Sequence, residues 1–245
     1  MESTEFEIMY HVEDDHWWYR GMMVINRSLI NRWIPLQKNA RILDAGCGTG
    51  AAMQTLLSNK GWVAGLDLTF QALTFCQQRG VHTLSCGSVG ELPYASQSFD
   101  LITNFDVLYA RSVPDVEAAL REFERVLVPG GHLLLRVPAY DWLRGYHDTA
   151  IGTARRFTLK AITRLIQGCG LTIKHRSYAN TFLFPLALLK RMLERPVSAH
   201  TKPSELTIRF GLFDKIFGFI LGLEAPLVAR TTLPFGLSVV IVAQK

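Results

Sequence analysis

The chain has 245 residues, 49% of them hydrophobic and 19% charged, and its formal net charge is +5. This balance excludes a long disordered tail, and because the basic residues never cluster beyond a pair such as Arg155-Arg156, nucleic acid is not indicated as a partner. The four cysteines form no C-x-x-C pair, so neither a disulfide framework nor a zinc site is expected.

The N-terminal MESTEFEIMY is acidic and lacks the basic-then-apolar order of a secretion signal, which predicts a cytoplasmic protein. YHVEDDHWWYRG follows, with Trp17, Trp18 and Tyr19 side by side. By composition these rings are either a packing staple or part of a site. Ile42 to Gly50 then reads ILDAGCGTG, an apolar strand that ends in a glycine turn, and AAMQTLLSNKG after it has helical spacing. Glycines between a strand and a helix let a ligand approach the main chain, where the helix start offers unpaired N–H groups. The spacing G-x-G-x-G departs from the dinucleotide fingerprint G-x-G-x-x-G, which disfavours a nicotinamide enzyme.

GWVAGLDLT is a second strand ending in Asp67, followed by the helical QALTFCQQRG. VHTLSCGS, FDLITNFDVL and HLLLRVPA are the third, fourth and fifth strands, with EAALREFERVLVPGG a helix closed by Pro129, Gly130 and Gly131. Alternating strands and helices predict an α/β fold with a doubly wound, mostly parallel sheet, which binds ligands beyond the carboxyl ends of its strands. The glycine loop, Asp67, Ser88 and Asn104 all fall at such ends. Asp67 either accepts two hydrogen bonds from a ribose diol or caps the next helix. Asp106 and Asp115 read as solvent-facing or helix-capping acids.

ILDAGCGTG, GLDLT, LPYASQSFDLI and REFERVLVPGGHLLLRVP, in that order, resemble the class I S-adenosylmethionine-dependent methyltransferases, of the type 11-like kind, over residues 40 to 180. The resemblance implies a seven-stranded sheet with LTIKHRSYA as the sixth strand and GLSVVIVAQK as a final antiparallel one. It also implies one domain over residues 1–245: a leader (1–39), a cofactor-binding core (40–180), an apolar helical insertion (181–235) and the last strand (236–245). S-adenosylmethionine, with S-adenosylhomocysteine as its product, is then the expected cofactor, and no metal is expected. Gly46 and Gly48 would line its methionine part, Asp67 would hold the ribose, Leu68 would pack on the adenine, and Asp44, Cys47, Ser88, Val89 and Asn104 would complete the pocket. Ser88 stands where relatives often carry an Asp that accepts from the adenine amino group, and Ala110 where many carry a His. The leader resembles that of a tryptophan-rich subgroup in which it covers the cleft, so Arg20 is expected to pair with the cofactor's carboxylate, with Tyr10 and His16 in the same lid.

YDWLRGYHDTAIGTARRFTLKAITRLIQGCG resembles the same subgroup's acceptor-side block, with Thr153 where relatives often have a second His. His147 either serves as a base or ties down the loop, Arg155 and Arg156 either hold an acid or pin the loop, and Tyr146 lies beside them. The insertion is expected to form a substrate lid carrying Phe213 and Phe217. Its runs FLFPLALL and IFGFILGL have eight residues each, short of the roughly 20 that span a bilayer, so no transmembrane segment is expected. A surface this apolar buries itself on the protein, a partner subunit, a greasy substrate or a membrane surface. The function implied is methyl transfer to a small or medium organic acceptor, oxygen before nitrogen, in a biosynthetic pathway. The alternative is a noncatalytic cofactor-binding or interaction protein that keeps the fold.

Overall fold

The computed structural model describes residues 3–145, 148, 152–193 and 212–245. Seven strands form one sheet: β1 (Arg41–Ala45), β2 (Trp62–Asp67), β3 (Leu84–Cys86), β4 (Phe99–Phe105), β5 (Leu127–Pro138), β6 (Thr172–Ala179) and β7 (Ser238–Gln244). Their order is β3-β2-β1-β4-β5-β7-β6, with β7 antiparallel to both β5 and β6 and the pairs among β1 to β5 parallel. This is the sheet expected from the sequence, final strand included.

Because strand side chains alternate, Ile42 and Leu43 of β1 point to opposite faces and each face takes its own helical layer. On one side α4 (Val116–Val126) and α5 (Leu159–Gly168) bury Leu120, Phe123, Ile162 and Ile166 against Leu43, Ile102, Leu133 and Ile241. On the other, α2 (Trp17–Trp33) and α7 (Leu212–Arg230) bury Met22, Ile25, Leu29, Ala225 and Val228 against Ile42, Leu101, Leu134 and Val240. Gly21 permits the close crossing of α2 and α7, since a Cβ there would lie 2.5 Å from the Leu221 Cβ. Helix α1 (Ser3–Val12) lies against α3 (Phe70–Gln78), and α6 (Phe184–Leu193) follows β6. Among the described residues no helix is long and apolar enough to cross a membrane.

Two local expectations need correction. The helix after the glycine loop becomes a π-helical turn at Met53–Leu57, whose Met53, Leu56 and Leu57 are buried. Helix α4 ends at Val126, before the Pro-Gly-Gly stop, because Leu127 already pairs with Phe99 at the start of β5. Asp115 caps α4 as its position suggested, accepting from the Ala118 N–H at 3.0 Å.

Candidate functional site

At the carboxyl edge of the sheet a cavity of about 580 Å³ lies between the strand ends and the leader. Its floor is the glycine loop. Gly46 has φ +87°, and a Cβ there would lie 2.2 Å from Val107 Cγ2, so only glycine turns the chain at this point. The N–H groups of Gly46 and Cys47 both donate to the Leu66 carbonyl, at 2.6 and 2.9 Å, which folds the loop back over β2. Gly48 N–H donates to Asp67 Oδ2 at 3.0 Å, while Thr69 sends its N–H and its hydroxyl to Oδ1, both at 3.1 Å. Asp67 is thus oriented from both sides and keeps acceptor capacity on the cavity wall. The Thr69 amide that it accepts belongs to the residue just ahead of α3, so Asp67 also orders the entry to that helix.

Asp44, Gly46, Cys47, Gly48, Asp67, Leu68, Ser88 and Val89 all line the cavity. Ser88 Oγ accepts from the Gly90 N–H at 3.1 Å. Asp44 is buried and accepts from the Thr103 hydroxyl at 2.7 Å; burial dominates, and its pKa is pushed up to about 6. Asn104 does not reach the cavity wall. It is fully buried and its amide donates to the Ala45 carbonyl at 2.6 Å, tying the ends of β4 and β1 together.

The leader supplies the roof. Met9, Glu13, His16, Trp17, Trp18 and Tyr19 line the cavity, and the Nε1 of Trp17 and Oδ1 of Asn26 are buried on that wall without a hydrogen-bond partner. His16 caps α2 through its Nδ1, which accepts from the Trp18 N–H at 3.3 Å. Glu13, at the end of α1, accepts from the Thr49 hydroxyl of the glycine loop and pairs with Arg79 at 2.9 Å. Burial raises the Glu13 carboxyl above its usual range despite these bonds. Tyr10 and Arg20 depart from their expected places. Tyr10 is sandwiched on the outer side between the Phe75 ring at 4.8 Å and the Arg79 guanidinium at 4.7 Å, and Arg20 is exposed; neither lines the cavity.

The far end is built by β5 and the loops after β4 and β5. Arg136 is buried, pairs with Asp106 at 2.6 Å and lies over the rings of Trp18 and Phe105 at 5.0 and 5.1 Å. Asp106, read from sequence as a surface or capping acid, is therefore the counter-ion of a cavity cation. Tyr19 and Tyr109 stand on the same wall, and burial drives both phenols far above their usual titration range, so each stays protonated as a donor. Arg156 also lines the cavity, but it is bidentate to Asp148 at 2.8 and 3.0 Å. Burial alone would raise Asp148; the guanidinium overrides it and holds the carboxyl below its usual range. Arg155 donates to the carbonyls of Val113 and Pro114 at 2.9 and 3.3 Å and is off the wall. Of the two readings offered for this arginine pair, loop-pinning is the one these bonds match.

Tyr146 and His147 lie outside the described residues, as does the side chain of Phe213. Phe217 meets Trp17 edge-on at 5.4 Å and does not line the cavity. From the segment read as a lid, Ala187 of α6 reaches the cavity, whereas α7 lies beside α2 on a sheet face. Arg136 was not singled out in the sequence, although a lone cation inside the apolar run HLLLRVPA was a signal for it.

The residues present fit S-adenosylmethionine. A side-chain-free cradle, an oriented carboxylate and the Ser88 hydroxyl line one cavity.

Residues 43–135 match the methyltransferase domain family. The malonyl-[acyl-carrier protein] O-methyltransferase of Erwinia pyrifoliae is 39% identical over 98 residues, covering 38% of this chain and 36% of that protein. The 2-phytyl-1,4-naphtoquinone methyltransferase of Thermosynechococcus vestitus is 37% identical over 119 residues, covering 45% and 52%. The chain thus spans about half or less of these relatives' length. Among solved structures, a Haloferax volcanii methyltransferase described in complex with the Trm112 activator matches with a TM-score of 0.63 at 18% identity, over 99% of this chain and 93% of that one.

Proposed function

From the class I methyltransferase domain that residues 43–135 carry, we propose that the chain moves the methyl group of S-adenosylmethionine to a small or medium, partly apolar organic acceptor. The observation that carries this reading is the joining, in one cavity, of the glycine floor with an aromatic far end. The cofactor supplies a methyl group on a sulfonium, already activated for in-line displacement. The chain's task is alignment, which alone can account for much of such a rate.

Asp67 holds a ribose diol, helped by the Gly48 and Thr69 bonds that fix its plane. The leader rings and Tyr109 exclude water and hold the acceptor, and the two protonated phenols donate to its oxygens. Arg136 and Arg156 are each neutralised by a carboxylate, which favours an uncharged acceptor such as a phenol or enol over a free acid. Oxygen stays ahead of nitrogen, in keeping with the O-methyltransferase name of one relative. His147, next to Asp148, is the proposed base, and the setting is cytoplasmic biosynthesis.

Asp67→Ala is expected to weaken S-adenosylhomocysteine binding by about 1.5–3 kcal/mol, the range for bonds to a charged group. Titration calorimetry measures it, and a folded wild-type chain that binds neither cofactor nor product overturns the reading. A screen of phenolic acceptors with labelled cofactor tests turnover. Binding without transfer to any acceptor favours the noncatalytic alternative, to which the neutralised arginines and the Ser88 and Thr153 departures lend support.

A further inference from the structure

Helix α7 is apolar on two opposite sides. Its inner side, with Leu221, Ala225 and Val228, is buried against α2 and the sheet. Its outer side repeats the pattern: Ile216, Phe219, Leu223 and Leu227, spaced three or four residues apart, are 42%, 66%, 54% and 42% exposed. Leu186 and Leu189 of α6 are 51% and 53% exposed as well, and Glu224 of α7 accepts the N–H groups of Thr181 and Phe182 in the loop that leads into α6. Exposed apolar surface that runs along a whole helix is rare on a protein that works alone in water.

Among the described residues the exposed charges on α2 and α7 themselves are basic, while the exposed acids Asp14 and Asp15 stand just ahead of α2. Arg20 and Arg27 are exposed along α2, which has no acidic residue, and Lys215 and Arg230 are exposed at the two ends of α7. Of the two acids on α7, Glu224 is fully buried and Asp214 is half-buried in the first turn. The two helices lie side by side on one sheet face, so cations flank the apolar stripe.

We propose that the outer side of the α2–α7 layer seats on an anionic lipid surface, with α7 lying in the plane of the membrane. Phe219, Leu223 and Leu227 would enter the headgroup boundary while Arg20, Arg27, Lys215 and Arg230 meet the lipid charges. A second copy of the chain fits this face worse, because a two-fold contact would set the four cations against the same four of its twin. The inference is independent of the reaction proposed above.

The test is sedimentation of the full chain with vesicles of phosphatidylcholine alone or mixed with phosphatidylglycerol, at low and high salt. The wild type is expected to pellet with the anionic vesicles at low salt and to bind at least about tenfold more weakly to neutral vesicles or at high salt. The pair F219S and L223S is expected to lower binding at least tenfold with the melting temperature unchanged, since both side chains already face water. The pair R20E and K215E is expected to remove the preference for anionic lipid while leaving cofactor binding intact. A wild type that stays in the supernatant overturns the proposal, as does vesicle binding that ignores both pairs. Concentration-dependent dimerisation abolished by F219S and L223S, with no vesicle binding, also overturns it and assigns the face to a second copy.

Discussion

Asp44 sits at the end of β1 with its carboxyl buried, and its environment sets its chemistry more than its sequence position does. In the unfolded chain it ionises near pH 4, whereas in the fold burial holds it protonated up to about 6. Across that window the folded protein keeps a proton that the unfolded chain has lost, so stability falls as pH rises from about 4 to 6 and levels above it. Asp44→Asn removes the ionisation and keeps an acceptor for Thr103. It is expected to stabilise the ligand-free protein by on the order of 2–3 kcal/mol near pH 7.5 and by little near pH 4. Urea unfolding at the two pH values measures it, and an equal effect at both would refute the assignment. At this scale a strand-end signal placed Gly46, Asp67 and Ser88 on the cavity, whereas Asn104, at the end of β4, turns inward to the Ala45 carbonyl. The sequence was not readable for Arg20 or Tyr10, because helical phase and the packing of α1 decide which way a leader side chain faces.

The elements repeat that division. The first five strands were legible from apolar runs bounded by turns, whereas the polar β6 and the antiparallel β7 were expected only through the family resemblance. The course of 181–235 was not legible, because a helix apolar on two sides does not say which side meets the core. The structure resolves that choice for α7 through Gly21, whose missing side chain lets α2 and α7 approach, and through Glu224, which points inward. Glu224 takes the N–H groups of Thr181 and Phe182 at 2.9–3.1 Å, and burial raises its pKa despite those bonds. Glu224→Ala leaves both amides buried without an acceptor and is expected to cost on the order of 2–4 kcal/mol, with Glu224→Gln costing less because one oxygen remains. Thermal or urea unfolding of the two variants checks this. If Gln costs as much as Ala, the bonds depend on the charge rather than on the acceptor.

The whole molecule raises a question of access, because the leader lines one side of the cavity that a nucleotide-sized ligand would enter. The roof is held unevenly. Helix α2 is buried along its length against α7 and the sheet, whereas α1 is fastened by Tyr10 on Phe75 and, at its end, by Glu13 on Thr49 and Arg79. Arg79 is the common member, since it stacks on Tyr10 and also pairs with Asp14 at 2.9 Å. Segments with few buried apolar contacts open at low free energy, so α1 is the part expected to move. In the ligand-free protein the amides of Ser3–Val12 are expected to exchange at least about a hundredfold faster than those in the middle of Trp17–Trp33, and S-adenosylhomocysteine is expected to slow the first set selectively. Arg79→Ala breaks a buried ion pair, a change that typically costs about 3–5 kcal/mol. Here the cost falls on the closed leader, so the variant should lose α1 protection, keep α2 protection and bind the cofactor more weakly. Hydrogen exchange with and without ligand separates this from a fixed roof. If α1 and α2 exchange alike and Arg79→Ala leaves affinity unchanged, the ligand enters by the acceptor side and Glu13 serves the fold alone.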